Sequence, residues 1–109
     1  MTENALHHNV AQRFNSAPFV RHLGLQLERV APGLACSRLT LGEEHLQQDG
    51  YAHAGVIATL ADHTGGAAGW TVVDDDKTVL TVEFNVHFLR PARVKTLHCQ
   101  ATVLRAGRK

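Results

Sequence analysis

Hydrophobic positions alternate along two early stretches and two late ones, and a helical repeat lies between them. Leu25 and Leu27 alternate with polar residues up to Val30, Pro32-Gly33 reads as a turn, and residues 34–41 return as a second strand. Residues 42–52 form a polar loop rich in turn formers and amides. Further on, Leu80, Val82, Phe84, Val86 and Phe88 form one row of a strand, and Thr81, Glu83, Asn85 and His87 form the other. Arg90-Pro91-Ala92 breaks it, after which Leu97, Cys99, Ala101 and Val103 alternate with Thr96, His98, Gln100 and Thr102. Ahead of all this, residues 1–15 are polar with a weak helical pattern, predicting a loose arm or short helix, and 18–23 predict a helical turn stopped by Gly24. The remainder, 16–109, reads as one domain. Its element order is β-β-α-β-β, an α+β class with the apolar faces aimed at one helix.

That helix, predicted over 54–69, is the most informative segment. At 100° per residue, Val56, Ile57, Leu60, Ala61, Thr64, Ala67 and Ala68 share one broad arc. The opposite arc carries Gly55, Ala58, Thr59, Asp62, Gly65, Gly66 and Gly69, so it is nearly bare except for one carboxylate. Glycine costs about 1 kcal/mol in a helix interior relative to alanine, so several glycines require a reason. One reason is close approach of a partner backbone or ligand to the Asp62 face. The other is that Gly65-Gly66 ends the helix and Asp62 faces solvent. The helix alone leaves both open.

Composition narrows the function classes. The 109 residues suit one compact domain. Eleven basic and ten acidic side chains leave a formal charge of +1, which gives no electrostatic footprint for nucleic acid and no polybasic membrane anchor. No apolar run approaches the roughly 20 residues that span a bilayer, and no signal-peptide stretch opens the chain, so a cytoplasmic protein is expected. Cys36 and Cys99 are too few for a disulfide framework and are expected as inert core thiols. The eight histidines fall into no metal-ligand spacing, and Asp74-Asp75-Asp76 lacks calcium-loop spacing, so no metal is expected.

The stretch His45-x-Gln47-x-x-Gly50-x-x-His53-Ala54-Gly55, running into Thr59-Leu60-Ala61-Asp62, resembles the signature of the PaaI-like acyl-CoA thioesterases, a hotdog-fold family. The family pattern is roughly H-x-N-x-x-G-x-x-H-G-G, followed by a catalytic acid about nine residues after the second histidine. Downstream, Asn85-Val86-His87-Phe88-Leu89-Arg90-Pro91-Ala92 resembles the family's N-x-x-F-x-R-P-A strand ending, and Arg105-Ala106-Gly107-Arg108 its next turn. The resemblance covers about residues 19–108. Two positions depart from it: Gln47 stands where many relatives have asparagine, and Ala54 where the pattern has its first glycine. It implies an antiparallel sheet wrapped around one long central helix. The family's sheet continues beyond the Gly-Arg turn, so its C-terminal strand or strands are expected to be missing here.

The residues support a chemistry. A thioester carbonyl needs an oxyanion stabiliser and a base or nucleophile. The N-terminus of the 54–69 helix supplies unpaired backbone N–H groups, so Ala54, with Gly55, is the candidate oxyanion donor. Asp62 acts as general base or attacks directly to give an anhydride; both remain open. The resemblance further implies Gln47 as the amide contacting thioester or water, and Thr81 as hydroxyl partner to Asp62. It places the motif loop and the acid on different subunits, and so implies a homodimer, or a dimer of dimers forming a homotetramer, with 79–89 at the interface. Arg90, able to fork onto phosphate, is the candidate contact for the CoA nucleotide. His53 and Asn85 complete the candidate substrate-binding residues, with His53 favoured as a structural residue at the helix start. No cofactor is expected, coenzyme A entering as part of the substrate. A non-catalytic acyl-CoA-binding protein is the alternative; an acyl-thioester dehydratase or hydratase is a further one, whose histidine and acid are spaced differently.

Overall fold

A computed structural model describes residues 2–107. Helix α1 (Glu3–Phe14) starts at Thr2, whose hydroxyl accepts the Ala5 N–H, and buries Val10 and Phe14. Each such side chain contributes about 1.5–3 kcal/mol on burial, so α1 is part of the core. Helix α2 (Pro18–Leu23) begins on proline and ends at Gly24, whose φ of 89° is the left-handed stop that glycine adopts without strain. Strands β1 (Gln26–Ala31) and β2 (Leu34–Thr40) form the expected hairpin about Gly33, and β3 (Thr96–Thr102) pairs with β2 along its whole length. The sheet is antiparallel in the order β1-β2-β3.

Helix α3 (Ala54–Trp70) crosses one face of this sheet. Gly65-Gly66 does not end it; the helix runs on to Trp70 and buries Val56, Leu60, Thr64, Ala67 and Ala68. Against them lie Ala35, Ser37 and Leu39 of β2, all essentially inaccessible. The core is completed by Val10 and Phe14 of α1 with Val20, Leu25 and Val30. His63 turns from α3 toward α1, with its Nε2 3.0 Å from the Phe14 carbonyl and its ring 4.4 Å from the Phe14 ring. Among the described residues no helix is long and apolar enough to cross a membrane.

One expected element is absent. Residues 77–89 lie in no strand and have no ladder partner among the described residues. Leu80, Val82, Phe84 and Phe88, expected to face the core, are exposed, Val82 at 98%. The alternation was real, but it reports a segment with two distinct faces and says nothing about a neighbour to pair with. The segment instead runs back beside α3. Val79 stands where a Cβ on Gly69 would touch it at 3.5 Å, Thr81 bonds Asp62, and residues 88–92 reach the N-terminal end of the helix.

The sheet–helix interface contains one polar cluster. Thr64 Oγ1 lies 2.6 Å from the Leu60 carbonyl and 2.5 Å from Ser37 Oγ, all in the core. A hydroxyl has one proton; if Thr64 gives its own to Leu60, Ser37 is the donor to Thr64. Cys99, opposite Ser37 in the ladder, adjoins this cluster. Burial pushes its thiol above the ordinary range, nearby Cys36 adds to the rise, and a hydrogen bond with Thr64 opposes it.

Two predictions follow from the cluster. Thr64→Val strands the Ser37 hydroxyl in the core and is expected to destabilise by about 1–3 kcal/mol, more than Ser37→Ala, which leaves the Thr64–Leu60 bond in place. Urea denaturation of both variants checks the order, and equal losses would contradict the donor assignment. Because a raised pKa lowers the thiolate fraction at a given pH, Cys99 is expected to require more alkaline solution than free cysteine for alkylation by iodoacetamide. Peptide mapping across a pH series reads this directly.

Candidate active site

The motif loop is built by side chains that take up backbone N–H groups. Buried His45 accepts the Gly42 N–H at Nδ1 (2.9 Å), while its Nε2 lies 2.6 Å from the Leu23 carbonyl. A carbonyl only accepts, so Nε2 carries the proton and the ring is pinned between the loop and the end of α2. The His45 carbonyl then accepts the His53 N–H at 2.9 Å, closing the loop just before α3. Gln47 Oε1 accepts from Asp49 N (2.6 Å) and Tyr51 N (3.1 Å). With Oε1 held by two backbone donors, Gln47 offers a ligand the N–H groups of Nε2.

His53 is the N-cap of α3. Its Nδ1 accepts the Gly55 N–H at 2.8 Å, which places a proton on Nε2 of the neutral ring. A Cβ on residue 55 would stand 3.0 Å from that Nδ1, so a side chain there would require the ring to shift by a few tenths of an ångström. Of the two backbone donors expected at this end, the Gly55 N–H is therefore already engaged. The Ala54 N–H is the donor left for a ligand, at the positive end of the helix dipole.

Six of the eight sequence-predicted site residues fall into two clefts. The smaller, about 300 Å³, is lined by Gln47, Tyr51, Ala54 and Ile57, with 88–92 including Arg90 on its other wall. The larger, about 550 Å³, is lined by Asp62, Gly65 and Gly66 on one side and by 79–86, including Thr81 and Asn85, on the other. Here the Thr81 hydroxyl donates to Asp62 Oδ1 at 2.6 Å. His53 and Gly55 stay at the helix start and line neither cleft. Ala54 and Asp62 are eight residues apart on one helix, about 12 Å along its axis at 1.5 Å per residue. Both cannot contact one carbonyl carbon within a chain. One cleft presents donors and the other an acceptor.

Two residues that the pattern did not single out meet beside the motif loop: Tyr51, which lines the smaller cleft, and Arg93, which does not. Arg93 lies with its guanidinium 4.7 Å from the Tyr51 ring centre and donates from Nη2 to the Asp49 carbonyl at 2.9 Å. The available signal was slight: one aromatic in an otherwise polar loop, and one arginine two residues beyond Pro91.

Comparison with known proteins fits this geometry. Residues 49–109 match the model of the Thioesterase superfamily. A putative esterase of Haemophilus influenzae is 31% identical over 86% of this chain and 67% of its own length. The proofreading thioesterase EntH of Klebsiella pneumoniae is 29% identical over 83% of this chain and 66% of that one. The chain thus spans about two thirds of the length of these curated relatives. Among solved structures, a thioesterase family protein from Silicibacter pomeroyi superposes with a TM-score of 0.91 at 31% identity, covering 94% of this chain and 76% of that one. The E. coli PaaI protein of the phenylacetic acid degradation operon superposes at 0.86 with 20% identity, covering 99% and 77%, a likeness of fold. The chain belongs to the thioesterase superfamily, and its sheet and central helix are the hotdog fold of the PaaI-like members.

Proposed function

We propose that this protein hydrolyses an acyl-CoA to the free acid and coenzyme A. The observation that carries the reading is the Asp62–Thr81 pair, a carboxylate held by a hydroxyl at 2.6 Å on a glycine-rich helix face beside an open cleft. Thr81 engages Oδ1, which leaves Oδ2 to take a proton from water as the water oxygen attacks the thioester carbon. The carbon–sulfur bond then breaks and the thiolate leaves, taking up a proton to give the free thiol. Attack by Asp62 itself, through an anhydride that water reopens, yields the same products. The Ala54 N–H, assisted by Gln47 Nε2, stabilises the oxyanion. Arg90, exposed at the edge of the smaller cleft, pairs with phosphate of the CoA nucleotide.

The roughly 12 Å of helix axis between Ala54 and Asp62 supports a site assembled from two chains, since a donor and a base acting on one thioester must both lie close to its carbonyl. Exposed Leu80, Val82, Phe84, Phe88 and Leu89 within residues 79–89 supply an apolar surface for that pairing. A dimer, or a dimer of dimers, is the working unit.

Two measurements test this reading. Thiol release from phenylacetyl-, hydroxybenzoyl- and short and long aliphatic CoA thioesters is expected in wild type, and Asp62→Asn is expected to lose at least about 100-fold in kcat, as for removal of a positioned base. If the wild type binds these thioesters without turning them over, the protein is an acyl-CoA-binding module and the hydrolytic mechanism fails. Light scattering is expected to return at least twice the 11.9 kDa chain mass. A monomer with full activity would contradict the two-chain site.

A further inference from the structure

We infer that Arg93 is a positioning residue for Gln47, fixing the loop from which that amide reaches the substrate; the inference rests on the hydrolytic reading above. The loop from Gln47 to Ala52 is held from both sides. From within, Gln47 Oε1 takes the N–H groups of Asp49 and Tyr51, and the Gln47 N–H bonds the Tyr51 carbonyl at 2.8 Å. From without, Arg93 takes the Asp49 carbonyl and covers the Tyr51 ring. The same two residues are therefore gripped by Gln47 through their N–H groups and by Arg93 through a carbonyl and a ring face. Gly50 lies between them with φ of 86°, and a Cβ there would meet Arg93 Nη2 at 3.3 Å. Glycine thus serves both the turn and the close approach of the guanidinium. The Ala52 N–H bonds the Ala92 carbonyl at 2.8 Å, so the backbone that carries Arg93 is itself tied to the loop.

Arginine suits this place because a planar cation can lie over an aromatic face while its N–H groups donate outward in the guanidinium plane. Without it, the Asp49 carbonyl and the Tyr51 ring lose their outer partner, and the frame that orients Gln47 Nε2 relaxes. Displacing a positioned group by about 1 Å can cost on the order of 100-fold in rate.

The test uses the full chain and acyl-CoA hydrolysis, with wild type, Arg93→Ala, Arg93→Lys and Gln47→Ala. Arg93→Ala is expected to lower kcat at least about 10-fold with KM within about 2-fold, as for lost positioning and not lost binding. Arg93→Lys, which keeps a cation for the ring and one donor for the carbonyl, is expected to recover most of that loss. Added to Gln47→Ala, Arg93→Ala is expected to cost less than about 2-fold more, since the two act as one unit. Amide exchange at Asp49 and Tyr51 is expected to accelerate at least about 10-fold in Arg93→Ala.

Unchanged kcat in Arg93→Ala, or its full loss repeated in the Gln47→Ala background, overturns the inference. So does a rise in KM for CoA thioesters that is absent for pantetheine thioesters, because Arg93 would then be gripping the nucleotide. An Arg93→Lys variant as slow as Arg93→Ala counts against it too. Amide exchange at Asp49 and Tyr51 reads the loop without turnover: unchanged exchange overturns the inference, whereas an inactive wild type overturns only the hydrolytic reading.

Discussion

The packing of α3 onto the sheet is the contact on which the rest depends. Ala67 and Ala68 are fully buried, and side chains that small let the helix backbone approach the strands closely. The Ser37–Thr64–Leu60 hydrogen bonds add a directional element to an otherwise apolar seam. Once that face is committed, the helix cannot rotate about its axis, because a slip of one residue turns every side chain by 100°. Asp62 and the neighbouring glycines are thereby held on the far side, facing the returning segment and Thr81. The position of the carboxylate is a consequence of core packing more than of any contact the carboxylate makes.

The loop preceding the helix is organised by a different force. It contains little apolar surface, so its shape is set by backbone N–H groups finding acceptors. His45, Gln47 and His53 each supply one, to Gly42, to Asp49 and Tyr51, and to Gly55 respectively. The polar side chains of the motif therefore hold the loop, and His45 has both ring nitrogens committed to that role. Arg93 and the Ala52–Ala92 bond extend the same framework to the chain that forms the opposite wall.

Much of this was legible in the residues, for identifiable reasons. The hairpin around Pro32-Gly33, the strand from Thr96 and the apolar arc of α3 each follow from local periodicity, which short-range sterics enforce. At Gly65-Gly66 the residues left a helix stop and a continuing helix both open, and burial of Ala67 and Ala68 decides for continuation. Residues 80–88 show where periodicity fails. Their alternation is as clean as any in the chain, yet a strand also needs a neighbour, and pairing is a non-local property. In α1, Leu6, Val10 and Phe14 at four-residue spacing mark a buried stripe that the polar surroundings obscured. The family resemblance paired Asp62 with Thr81, and the fold does bring them to 2.6 Å, whereas Arg93 and Tyr51 meet only because the fold brings 49–51 against 93.

The engagement of Gln47 Oε1 has a consequence for selectivity. With that oxygen occupied by Asp49 and Tyr51, the amide and the Ala54 N–H both present hydrogen toward the smaller cleft. On the proposed reading, recognition by these two groups discriminates through what they lack. A ligand presenting an oxygen there is matched, whereas one presenting an amine or hydroxyl hydrogen buries a donor opposite another donor, at about 1–3 kcal/mol for the unmet group. The turn that shapes the loop thus also determines the polarity of what the loop can hold.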